Sequence, residues 1–293
     1  MQFAAPLLSF AVAWLVIDRM LKTGLARAVL DTPNSRSLHA SPTPRTGGLG
    51  LMAGVFAGWA ALAPGWLWPV WLIAGLLMAV SLLDDVRGLS AGLRLAVHFL
   101  AAAGLAASVA GHLPVLALAA VVLAVVLMTN LYNFMDGSDG LAGGMALFGF
   151  GAYAAAAWLG EDASFALAAA SIAAAAAAFL LFNFHPARIF MGDAGSIPLG
   201  FLAAALGLAG WQRGLWPAWF APLVFSPFIA DASVTLAKRL LRGERVWQAH
   251  REHYYQRLVQ SGFGHRNTAL LEYILMAAAG VTAVWGIGLA AAA

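Results

Sequence analysis

The chain has 293 residues, of which 62% are hydrophobic and 10% charged, with a net charge of +3 and a mean hydropathy of +0.83. These values exclude an ordinary soluble domain and define a polytopic membrane protein, expected to be all-α. The low net charge and the lack of a basic, aromatic-interleaved surface argue against nucleic acid as a partner, and the absence of cysteine excludes a disulfide framework or a thiolate metal site.

Apolar runs long enough to cross a hydrocarbon core of roughly 30 Å fall at residues 2–21, 47–63, 66–83, 94–111, 113–131, 141–159, 163–182, 196–212, 215–237 and 268–292. The chain therefore reads as one transmembrane domain, residues 1–293, of about ten helices. The first run lacks a basic leader and a small-residue cleavage site near residues 26–28, so it reads as a permanent span and not a signal peptide. Pro114, Pro198, Pro217, Pro222 and Pro227 lie in or beside these runs and are expected to start or kink helices.

The connections fall into two sets. Long polar loops, at 22–46, 84–93, after Asn130, 183–195 and 238–267, together with Arg19 and Arg94 at their edges hold all of the 16 Lys and Arg residues except Arg213. By the positive-inside rule these loops are cytoplasmic and both termini external. Every motif then lies on one face of a bacterial cytoplasmic (inner) membrane.

Four of these loops carry groups suited to phosphate chemistry. The first, around 31–50, contains Pro-Thr-Pro-Arg-Thr-Gly-Gly, whose prolines restrict the backbone while Arg36 and Arg45 offer planar donors for phosphate. The pair Asp84 and Asp85 closes the third span, with Arg87 just beyond, and adjacent carboxylates at a membrane boundary suit a divalent cation held partly by substrate phosphates. Residues 130–144 read Asn-Leu-Tyr-Asn-Phe-Met-Asp-Gly-Ser-Asp-Gly-Leu-Ala-Gly-Gly, placing Asn133, Asp136 and Asp139 where an apolar run meets water. Carboxylates crowded in this way repel unless they share a cation or a proton. Asn183 and Arg188 lead into Phe-Met-Gly-Asp-Ala-Gly-Ser, which sets Asp193 at the start of the next helix. Aspartates gathered at one membrane face beside arginines describe a metal-assisted phosphate site.

The last loop carries His250 and His253 with no acidic ligand at zinc spacing, so they are expected to hydrogen-bond a sugar or phosphate. Lys238, Arg239, Arg242 and Arg245 just upstream read as an anchor for anionic membrane lipids.

Taken in order, the motifs of residues 31–267 resemble those of the polyprenyl-phosphate N-acetylhexosamine-1-phosphate transferase family. The resemblance implies transfer of a sugar-1-phosphate from a UDP-N-acetylhexosamine to undecaprenyl phosphate, with release of UMP. The cofactor it implies is Mg2+, with Mn2+ as a substitute, and a homodimer is compatible with it. It assigns Asp84 to the acceptor phosphate with Asp85 beside it. Asp193 becomes the main metal ligand, joined by Asp136. Asn133, Asp136, Asp139 and Asn183 fall on nucleotide-diphosphate positions, and His250 and His253 on the sugar-recognition loop. Arg45, Arg87 and Arg188 complete the substrate-binding set. The branch that acts on UDP-MurNAc-pentapeptide carries a run of three histidines where this chain has His-Arg-Glu-His, which favours GlcNAc, GalNAc, QuiNAc or FucNAc and O-antigen-like surface polysaccharide synthesis.

Two other classes of membrane protein fit the sequence less well. A secondary transporter would place its acids near mid-span in an internal repeat, and here they cluster at one face, with Asp231 the nearest to an exception. An alcohol phosphatidyltransferase would carry an arginine after its Asp-Gly motif, and Asp139-Gly-Leu-Ala-Gly-Gly has none.

Overall fold

The structure, a computed structural model, describes residues 2–33, 38, 41–246, 248 and 250–292, so Arg36 lies outside the described residues. Within them the chain forms α1 (Ala5–Thr23), β1 (Leu30–Asp31), β2 (Thr43–Pro44), α2 (Gly47–Leu62), α3 (Trp68–Arg87), α4 (Ala91–Ala110), α5 (Val115–Phe134), α6 (Leu141–Leu159), α7 (Ala163–Asn183), α8 (Asp193–Gln212), α9 (Phe220–Val224), α10 (Ser226–Leu241), α11 (Tyr254–Leu258) and α12 (Gly264–Ala292). The all-α, multi-pass reading of the composition holds.

Eight helical segments of the described residues are long and apolar enough to cross a membrane: α1, α3 to α8, and the segment ending in α12. Two of the ten expected spans differ. Helix α2 has 16 residues, and the run at 215–237 is broken between α9 and α10. Pro222 and Pro227 withhold amide hydrogens there, and Phe225 (φ −94°, ψ 11°) leaves helical geometry. The amide of Phe225 still donates to Ala221 O and that of Ile229 to Phe225 O, each at 3.1 Å, so the two pieces remain bonded end to end.

Helices α7 and α8 form the centre, 72% and 83% buried across their apolar windows, whereas α1 is 22% buried. A helix apolar on every side is one that neighbours surround. The α1–α2 contact shows how small residues close this bundle. A Cβ at Gly50, Gly54 or Gly58 would meet Ile17, Ala13 or Ser9 respectively at 2.7 Å or less. Positions four apart on one helix face thus match positions four apart on the other, and absent side chains let the backbones touch.

The first polar loop is pinned in stages. Strands β1 and β2 pair antiparallel, Leu30 opposite Pro44 and Asp31 opposite Thr43. The amide of Phe190 then donates to Pro44 O at 2.7 Å, and those of Gly47 and Gly48 donate to Phe190 O (2.9 Å) and Met191 O (2.8 Å). Three backbone bonds therefore lock the Pro-Thr-Pro-Arg loop to the segment that precedes α8, and Arg45 and Asp193 end on one cavity.

Candidate active site

A cavity of about 190 Å3 opens where these loops meet, lined by Asp31, Arg45, Asn133, Asp136, Ser138, Asp139, Asn183, Gly192, Asp193 and His265 among others. Four of the polar loops contribute to it. Asn183 ties two of them together from beneath: its Oδ1 accepts from Gly140 N and its Nδ2 donates to Ile189 O, both at 2.9 Å and buried. Asn133 does the same between α5 and α8, donating from Nδ2 to Asp193 Oδ1 (3.0 Å) and Ser196 Oγ (2.8 Å).

The acidic groups converge around Gly192. Its φ of +71° suits glycine, and a Cβ there would sit 2.2 Å from Arg45 O and 3.4 Å from Asp85 Oδ2. Arg45 bonds Asp85 from behind, Nη2 lying 3.3 Å from its Oδ1 and 3.1 Å from its backbone oxygen. Burial, then the carboxylates of Asp193 and Asp85, push the Asp136 carboxyl well above the usual carboxylate range, against which the Gly192 N–H acts. Such a donor set of crowded carboxylate oxygens fits a hard divalent cation. Among the described residues no three acidic or histidine side chains converge into a ready-made coordination shell.

A second cavity, about 360 Å3, lies on the other side of Asn133 and Asp193. Its walls are mostly apolar, from Leu77, Val80, Leu95, Val126, Leu127 and Leu236, with Asp84, Arg94, His98 and Asn130 at one end. Asp84 is held there rather than free: its Oδ1 accepts from Leu89 N (2.6 Å) and its Oδ2 from Arg94 Nη1 (3.0 Å). The same Arg94 nitrogen lies 3.7 Å from Asp193 Oδ2. His98 lines this cavity with Nδ1 3.2 Å from Asn130 Nδ2.

Other expected residues are placed differently. Arg87 is exposed in the last turn of α3. Arg188 lies over the Phe182 ring at 4.9 Å and donates to Leu181 O, on an outward-facing groove with His185 and Leu270. His253 is buried at the N-cap of α11, its Nδ1 3.3 Å from Asp231 Oδ1, while Asp231 also accepts from the amides of Tyr254 and Tyr255. Tyr255 in turn donates to Phe134 O at 3.2 Å. His253 therefore braces the last loop against the end of α5, with His250 packed beside it at 4.8 Å between ring centres.

The basic run upstream is engaged within the protein. Arg239 pairs with Glu244 and Glu252, Arg242 with the same two, and Lys238 with the Tyr254 hydroxyl. The lipid-anchor expectation treated these charges as free, but Glu244 and Glu252, a few residues downstream, fold back onto Arg239 and Arg242. Three residues of the polar cavity and its rim gave no spacing signal: Ser138, His185 and His265. His185 Nδ1 lies 2.6 Å from Asp139 Oδ2, and His265 Nδ1 lies 2.8 Å from Ser138 Oγ.

An apolar bundle carrying, at one end, an acidic arginine-flanked cavity back to back with an apolar one defines a membrane-embedded enzyme. Residues 67–210 match the profile of glycosyl transferase family 4. The chain is 31% identical to the decaprenyl-phosphate N-acetylglucosaminephosphotransferase of Mycobacterium tuberculosis, over 87% of this chain and 74% of that one. It is 29% identical to the undecaprenyl-phosphate alpha-N-acetylglucosaminyl 1-phosphate transferase of Yersinia pestis, over 95% and 81%. A stretch of 134 residues is 34% identical to the phospho-N-acetylmuramoyl-pentapeptide-transferase of Shouchella clausii, covering 45% of this chain and 40% of that one. The chain belongs to glycosyl transferase family 4, among the polyprenyl-phosphate N-acetylhexosamine-1-phosphate transferases.

Proposed function

We propose that the protein transfers an N-acetylhexosamine-1-phosphate from a UDP-sugar to undecaprenyl phosphate, the first step of a lipid-linked surface polysaccharide of O-antigen type. The observation that carries this reading is the shared wall: Asn133 and Asp193 line both the polar and the apolar cavity. A nucleotide sugar fits the first, with its diphosphate at Arg45, Asp136 and Asp193. A polyprenyl phosphate fits the second, its tail along Leu77, Leu95, Val126 and Leu236 and its phosphate at Arg94. An acceptor phosphate oxygen then meets the β-phosphorus at the wall. The new P–O bond forms as the bond from the β-phosphorus to the bridging oxygen breaks, and UMP leaves with that oxygen.

Phosphoryl transfer asks a protein chiefly for alignment and charge neutralisation. Asn133 orients the Asp193 carboxylate, Asn183 fixes the loop that carries Asp136 and Asp139, and Arg45 and Arg94 supply positive charge from opposite sides. A Mg2+ ion bound at Asp136 and Asp193 would neutralise the charge that develops on the diphosphate. The relatives named for N-acetylglucosamine match most of this chain and the muramoyl-pentapeptide relative less than half, which supports GlcNAc as the first sugar to test. The loops that build the site carry the excess of Lys and Arg, which supports a cytoplasmic site with both termini external.

The test is turnover by purified protein given undecaprenyl phosphate, Mg2+ and a panel of UDP-N-acetylhexosamines. UMP and a lipid-linked product that both require lipid and metal are expected. Folded protein that releases no UMP from any of the sugars overturns the reading.

A further inference from the structure

His265 belongs to no motif of the family resemblance, yet it touches more of the polar cavity's loops than any residue assigned from sequence. The chain enters α12 through Gly262 (φ +93°) and Gly264 (φ +78°), left-handed positions that turn it back over the site. His265 follows directly, its side chain 15% exposed on the cavity wall. Its Nε2 lies 3.2 Å from Leu38 O, in the first polar loop. A carbonyl can only accept, so Nε2 carries the hydrogen, and in the neutral ring Nδ1 then accepts from the Ser138 hydroxyl at 2.8 Å. The same Nδ1 is 3.9 Å from Asp139 Oδ1. One face of the ring stacks on His185, with centroids 5.6 Å apart and planes 6° apart, and His185 in turn bonds Asp139. One imidazole therefore joins the loop before β2, the Asp-Gly-Ser-Asp loop, the segment after α7 and the start of α12.

The contacts are also one-sided. Ser138, Asp139 and His265 line the polar cavity, and none of them lines the apolar one. We propose that His265 is a positioning residue for the nucleotide substrate: it holds Ser138, Asp139 and the first loop in register, so that they form the end of the polar cavity away from the lipid. This rests on the donor and acceptor assignment made above. Its distinguishing consequence is an effect on the nucleotide that the lipid does not share.

The experiment uses the full-length protein with His265→Ala, His265→Gln and His265→Asn. Glutamine returns an N–H donor near the Nε2 position, for Leu38, and asparagine an acceptor near the Nδ1 position, for Ser138. KM is measured separately for the UDP-sugar and for undecaprenyl phosphate, with UDP binding by calorimetry and backbone hydrogen exchange over residues 41–46 and 136–140. His265→Ala is expected to raise the KM of the UDP-sugar and the Kd of UDP about tenfold, corresponding to about 1.4 kcal/mol. The KM of the lipid should stay within about twofold, exchange in both segments should accelerate, and glutamine and asparagine should each restore part of the loss. Equal changes in both KM values, or unchanged UDP binding in folded protein, overturn the proposal. So does an alanine variant matched by both amides. If the native protein binds UDP but turns over no UDP-sugar, the transferase reading fails, and UDP affinity with hydrogen exchange still decides the role of His265.

Discussion

Asn133 Nδ2 donates to Asp193 Oδ1 at 3.0 Å, and this pair stands between the polar and the apolar cavity. Asparagine at 193 can keep that contact through its amide oxygen while losing the charge. Asp193→Asn is therefore expected to fold normally and to lose about 100-fold or more in turnover, the scale seen when a single charge-stabilising group is removed. Activity at a series of Mg2+ concentrations checks this. Near-normal turnover would remove Asp193 from the centre of the mechanism.

Arg94 reaches Asp84 at 3.0 Å and Asp193 at 3.7 Å from the lipid side of that wall. Arg94→Ala removes the positive charge that faces the acceptor phosphate and leaves two carboxylates to repel it. The KM for undecaprenyl phosphate is expected to rise about tenfold, or about 1.4 kcal/mol, with the KM for the UDP-sugar little changed. Steady-state kinetics with each substrate varied in turn is the measurement.

Asn183 is predicted to matter more for stability than for contact with substrate. Asn183→Ala leaves the Gly140 N–H and the Ile189 carbonyl without their partner in a buried position. Each orphaned group costs about 1–3 kcal/mol, so the thermal midpoint in detergent should fall clearly, and Asn183→Asp should fall as well, because it keeps the acceptor for Gly140 but sets a carboxylate oxygen against the Ile189 carbonyl.

His250 gives the stability a pH dependence with a definite sign. Burial, then the nearby His253 and Arg239, hold its pKa down to about 4, against 6.5 for the free side chain. Above pH 6.5 the ring is neutral whether or not the protein is folded. Between pH 6.5 and about 4 the unfolded chain takes up a proton that the folded one refuses, so stability falls as pH falls through this window. Melting curves from pH 7 to 4 should show a shallower decline for His250→Gln than for the native protein.

Sidedness is open to a direct check. Reporters fused after residue 213 and residue 250 are expected to read external and cytoplasmic respectively, because Arg213 is the lone basic residue of the short connections. The reverse pattern would invert the whole arrangement.

Much of this architecture was legible because apolar runs and charge segregation are averages over many residues. The family resemblance was legible because its motifs recur in order, and the relatives matched along most of the chain bear it out. Single contacts were not legible. Asp231, which looked like the nearest approach to a transporter carboxylate, accepts backbone amides at the start of α11. Arg188 shares a loop with Asn183 and Asp193, but its guanidinium folds back over Phe182, away from the polar cavity. His265 stood alone, without a partner at helical or metal-ligand spacing, because its contacts Leu38 and Ser138 lie 227 and 127 residues away along the chain. The break at Phe225 was legible as a kink, because Pro222 and Pro227 flank it, but hydropathy sums side chains and ignores a missing backbone donor, so the run at 215–237 still read as one span.

The wall between the cavities has a consequence for inhibition. The two cavities lie on opposite sides of Asn133 and Asp193, so a nucleoside mimic and a lipid-phosphate mimic should be able to bind at the same time. Joining them by a linker short enough to pass Asn133 and Asp193 turns the second association into an intramolecular one, and affinity can then exceed that of either part by about 100-fold or more. A compound of that shape would draw its selectivity from the carboxylate that the transfer reaction itself requires.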